Sequence, residues 1–171
     1  MCAVAVVFLI VLCPLTGRAD EKKVVDLNSI RLYLPDAALR QRLGADASPL
    51  AKYIKALQME LTAFWQKADQ PKAKGLLVAV GVKPGKKSRV WCDAIGGQIP
   101  AEVLAKLEKR LAAVPAVAVK EGPIAFAVEI RLWGQKPGRF PEMPKAWVEA
   151  AKKSKEPLMV PDGLFKVVWP E

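Results

Sequence analysis

Residues 75–134 read GLLVAVGVKPGKKSRVWCDAIGGQIPAEVLAKLEKRLAAVPAVAVKEGPIAFAVEIRLWG, and the punctuation of this stretch decides the fold. Gly75 to Val82 is a short β-rich run. Lys83-Pro84-Gly85-Lys86-Lys87 follows as turn chemistry, because proline presets one turn dihedral and glycine accepts a positive one. Ser88 to Ala94 is then predicted to return as a second strand, broken by Gly96-Gly97-Gln98. Pro100 opens a helix with Val103, Leu104, Leu107, Leu111 and Val114 on one face. Glu102, Lys106, Glu108, Lys109 and Arg110 form its solvent side, and Pro115 stops it. After Gly122-Pro123, Ile124, Phe126, Val128, Ile130 and Leu132 alternate against Glu129 and Arg131. Period two predicts a strand with one face on the core and one toward solvent. The pieces spell strand–strand–helix–strand: a small antiparallel sheet with a helix across one face, an α+β fold.

Working outward, Ser48-Pro49 is a helix start, with serine as the expected N-cap and proline in the first turn. Leu50, Ile54, Leu57, Leu61 and Phe64 recur at helical spacing, and the helix is expected to end near Ala68. The same pattern could describe a membrane-surface helix, but few cations and an aromatic-rich stripe favour core packing. Upstream, Val24 to Leu27 and Ile30 to Leu34 are candidate strand pieces, and residues 37–47 suggest a helical turn closed at Gly44. Downstream, Gly134 to Pro144 is a Gly/Pro-rich loop. A short helix is expected over Lys145 to Lys153, packing through Trp147 and Val148, and a final strand over Gly163 to Trp169. The expected domain therefore runs from 20 to 171, with its core at 48–134. An N-terminal amphipathic helix and a C-terminal helix/strand segment pack the sheet.

Met1 to Leu15 carries no charged side chain. The run is shorter than the roughly 20 apolar residues of a spanning helix, and it fits the apolar core of a secretory signal. Gly17-Arg18-Ala19 offers small residues where a signal peptidase reads, so residues 1–19 are expected to be a signal peptide and Asp20 the mature start. The n-region lacks Lys and Arg, and an uncleaved anchor over residues 2–15 is the alternative. The expected location is the periplasm or the outside of the cell. Cleavage removes Arg18 from 27 basic and 17 acidic residues, so the net charge falls from +10 to +9. Cys2 and Cys13 leave with the signal, and Cys92, beside Trp91 in an apolar run, is expected to be a buried thiol.

The chain contains no histidine. That excludes Ser-His-Asp and Cys-His nucleophiles and the usual His-bearing metal sites. Ser29, Ser48, Ser88 and Ser154 occupy neither a nucleophile elbow nor a Ser-x-x-Lys pattern. The expectation is a non-enzymatic protein with no catalytic residues, no metal ligands and no cofactor.

The block from Gly75 to Gly134 resembles the C-terminal domain of TonB-type energy transducers, in which a hairpin, a helix and a final strand are punctuated in the same order. Such transducers also keep an uncleaved membrane helix, which here only the alternative anchor over residues 2–15 would supply, and carry a long Pro-rich spacer with no clear counterpart in this sequence. The resemblance implies a periplasmic module that binds an envelope protein by β-augmentation. It would make Ile124, Phe126, Val128, Ile130, Leu132 and Trp133 the binding edge. The simpler alternative is an ordinary sheet whose edge the C-terminal segment covers. Lys83, Lys86, Lys87 and Arg89 crowd the hairpin tip as a candidate basic patch for an anionic membrane or polymer surface. Export, and aromatics set in core-like positions, argue against nucleic acid. Three functions compete: an exported interaction module, a peripheral protein held electrostatically, and, far behind, a histidine-free hydrolase built on paired carboxylates.

Overall fold

The structure is a computed structural model that describes residues 23–154 and 160–170. The expected signal peptide, residues 1–19, lies outside the described residues. Four strands form one antiparallel sheet: β1 (Val25–Leu32), β2 (Gly75–Lys83), β3 (Lys87–Ile95) and β4 (Ile124–Leu132), in the order β1-β4-β2-β3. The helices are α1 (Asp36–Leu43), α2 (Ser48–Trp65), α3 (Ala101–Ala112), α4 (Lys145–Lys153) and α5 (Asp162–Val168). The α+β class read from the sequence holds.

β2 and β3 form the expected hairpin, with Lys83 opposite Lys87 across the turn. Gly85 and Lys86 both take positive φ there, at 82° and 59°, which is why glycine serves this turn. The two upstream strand pieces join into β1 through a register shift between Leu27 and Ser29. That bulge lets Val25, Leu27, Ile30 and Leu32 share one face despite the broken alternation.

The first face carries Leu76, Val78 and Val80 of β2 and the five alternating apolar residues of β4. α2 lays Leu50, Ile54, Leu57, Leu61 and Trp65 on this core, and α3 adds Leu107 and Leu111. α2 stops at Trp65, short of Ala68. Ala47 is its N-cap and Ser48 its first residue, whose N–H donates to Asp46 Oδ1 at 2.8 Å, so the serine opens the helix instead of capping it.

The second face was expected to meet solvent, and it does not. Leu77 and Ala79 of β2, Ala125 and Ala127 of β4, and Trp91 of β3 pack against Phe140, Trp147, Leu164 and Phe165. The small residues leave room for rings: Trp91, Trp147 and Phe165 lie with centroids 5.2–5.8 Å apart. Trp147 is fully buried, whereas Val148 stays 37% exposed. The segment Gly163 to Trp169, expected as a strand, is instead α5, since Leu164, Phe165 and Val168 gather on one helical side against this face.

Candidate functional site

β4 is not an edge. It pairs with β1 on one side and β2 on the other along nearly its whole length, so its backbone groups are spent within the sheet. Ile124, Phe126, Val128, Ile130 and Leu132 are all at most 2% exposed. Trp133 is half-buried beside Trp65, with ring centroids 5.8 Å apart. Strand addition at Ile124–Trp133 is therefore corrected: the chain inserts β1 where the partner strand was expected. The C-terminal segment covers a face of the sheet and leaves the edge question to β1 and β3.

The β3 edge is occupied. α3 lies along it, Glu108 Oε1 accepts the Cys92 N–H at 2.7 Å, and Ser88 Oγ donates to the Ala112 carbonyl at 3.2 Å. Burial, with Asp93 nearby, raises the Glu108 pKa above its ordinary value. Burial also pushes the Cys92 thiol well up, which keeps it protonated and inert, as expected for a buried cysteine. Asp93 Oδ2 accepts the Lys145 N–H at 2.7 Å and so caps α4. These two neighbouring carboxylates each hold a backbone amide.

The β1 edge is open among the described residues. The Tyr33 N–H donates to the Ala125 carbonyl at 3.1 Å. Antiparallel alternation then points the amides and carbonyls of Ser29 and Arg31 at β4 and turns those of Ile30 and Leu32 outward. No described backbone group takes them. The side chains of these same residues are 43% and 42% exposed. Arg31 does not shield them, because its Nη2 is tied to Glu129 at 2.7 Å and its Nη1 to the Pro141 carbonyl at 2.8 Å.

The hairpin cations divide. Lys83 Nζ donates to the Trp169 carbonyl at 2.7 Å and lies 4.7 Å from the centre of its ring. Arg89 Nη1 donates to the Val168 carbonyl at 2.8 Å. Both satisfy open carbonyls at the C-terminus of α5, where a cation also complements the helix dipole. Lys86 and Lys87 remain exposed at the tip.

A groove of about 890 Å³ opens between the end of α2, the start of α3 and the end of β3. Phe64, Trp65, Ile99, Val103 and Leu104 line it, with Lys67, Lys72, Lys106 and Lys145 around it. Sequence reading found neither this groove nor the β1 edge. The alternation of Ile30 and Leu32 signalled a strand, but its place in the sheet rests on pairings about a hundred residues apart in sequence.

Among the described residues no cluster of three His, Cys, Asp or Glu could hold a metal, and no helix is long and apolar enough to cross a membrane. Compared with known proteins, the chain matches no family model, no curated sequence and no solved structure.

Proposed function

We propose that the chain is an exported, non-enzymatic interaction module that takes up an extended segment of another envelope protein as a fifth strand against β1. The observation behind this reading is the coincidence at Ile30 and Leu32 of outward backbone groups and exposed apolar side chains. In strand addition the backbone supplies affinity and alternate side chains supply specificity, and these two residues offer both. Edges left open are normally blunted by proline, charge or a helix. β3 has its helix. The stretch Ser29 to Leu32 has no proline, and its one charge is turned to the second face. The mode is the one the TonB-type resemblance implies, placed on β1 instead of β4.

The test is a photo-crosslinking residue at position 30, produced in the living host. A single discrete adduct with an envelope protein is expected, absent when the probe sits at Lys152. It should disappear in Leu32→Pro, because proline removes an outward N–H that β4 does not use. Adducts that persist in Leu32→Pro, or none at position 30, would sink the proposal.

The second reading, electrostatic attachment to an anionic surface, draws support from exposed Lys86, Lys87, Lys152 and Lys153. It carries less, because Lys83 and Arg89 already hold α5. Its signature would be vesicle binding that falls steeply with salt.

A further inference from the structure

We propose that the groove between α2, α3 and β3 binds a hydrocarbon chain ending in a carboxylate, a ligand of the fatty-acid class. The proposal is independent of strand addition, since none of the groove's residues belongs to β1.

Size comes first. A volume of about 890 Å³ lies within the range of roughly 300–1,000 Å³ typical of small-ligand sites. Phe64, Val103 and Leu104 are only partly buried although they pack against the first core, so apolar surface faces the opening. The charge around the groove is one-sided. Lys67, Lys72, Lys106 and Lys145 line it against Asp69 and Asp93, four cations to two anions. Among the described residues none of these four lysines has a carboxylate within 4.0 Å. Four lysines against two aspartates leave a net positive charge beside the apolar floor, which favours an anion there. Their methylene stems can lie along a hydrocarbon while the charged heads meet its end group.

Charge complementarity selects an anion, and the floor selects what carries it. An extended peptide would have to lay part of its backbone over Phe64, Ile99, Val103 and Leu104, which offer its amides no acceptor. A hydrocarbon chain has no such groups to satisfy.

Calorimetric titration of the full chain with dodecanoate, below its micelle concentration, tests the idea. One-to-one saturation is expected, with dodecylammonium at least tenfold weaker. Lys67→Glu combined with Lys106→Glu changes two exposed side chains and should weaken dodecanoate at least tenfold while leaving the melting temperature in place. Ala68→Trp, which fills the groove, should do the same by a steric route. Three results would overturn the proposal: no binding, equal affinity for the two amphiphiles, or dodecanoate affinity indifferent to both variants. An acidic peptide that binds more tightly than dodecanoate would also overturn it and make the groove a peptide site.

Discussion

The Glu129 carboxylate, 6% exposed, accepts hydrogen bonds from Asn28 Nδ2, Ser29 Oγ and Arg31 Nη2 at 3.0, 2.6 and 2.7 Å. These donors sit on β1 at and just after its register shift, so one acid fixes which residues face the core there. A one-residue slip would turn Ile30 and Leu32 to the opposite face. Glu129→Ala leaves three donors without their acceptor, and partly exposed Arg31 can recover water. The expected loss is about 2 kcal/mol, with faster amide exchange along β1. An unchanged urea midpoint would show that the bulge holds itself. Glu108 is a residue whose effect depends on pH. Its folded pKa is raised by burial, so the folded state binds that proton more tightly than the unfolded chain does. Its contribution is therefore fully present below the ordinary value of 4.5 and is lost as pH rises through the folded pKa. Glu108→Gln can still accept the Cys92 N–H but carries no charge. The variant should gain in melting temperature relative to the native chain as pH rises from below 4.5 to neutrality. A difference independent of pH would mean that the buried charge carries no penalty.

At the level of elements, α5 shows why the second core was hidden in the sequence. Its partner positions on the sheet are Ala79, Gly81, Ala125 and Ala127, residues equally compatible with a solvated face. Their meaning appears only with the rings that fill the space above them. A Cβ placed on Gly81 would sit 2.6 Å from Phe165 Cζ, so this glycine is required by close approach and not by its φ. Gly81→Ala should cost about 1–3 kcal/mol by overpacking. It should also loosen α5 first, because the middle of that helix meets the sheet through Phe165, while Arg42 holds only its start and Lys83 and Arg89 only its end. Near-UV circular dichroism of the tryptophan cluster, followed through thermal unfolding, reads this; an unchanged spectrum and midpoint would mean that Phe165 has another place to go. The run Gly163 to Trp169 reads as a strand because Phe, Val and Trp favour strands. Tertiary contact overrides that preference, and the spacing of Phe165 to Trp169 was the helical signal available. The hairpin, α2, α3 and β4 were legible because long apolar periodicity and Pro/Gly punctuation agree there. β4's position was not, since period two tells which face is buried and not which strands lie alongside.

For the whole molecule, the strand that carries the proposed binding edge, β1, also lies nearest the proposed signal. Nine residues, Thr16 to Val24, separate the end of the apolar segment 2–15 from the first residue of β1. Fully extended, they would reach roughly 31 Å, at about 3.4 Å per residue. If residues 2–15 stayed in a membrane, the Val25 end of the strand would be held close to the bilayer. The free edge would then be offered to a membrane protein or to a segment threaded along the surface. If the chain is cut after Ala19, the same edge diffuses freely, and the net charge of +10 becomes +9. Intact mass separates the cases when the protein is recovered from the soluble envelope fraction and from the membrane fraction of its host. A soluble species beginning at Asp20 is the expected outcome, and the crosslinked partner at position 30 should then be recovered in soluble fractions as well. A full-length species confined to membranes would refute cleavage and revive the anchored-transducer reading. In that case strand addition at β1 would survive only if the position-30 adduct is itself a membrane protein.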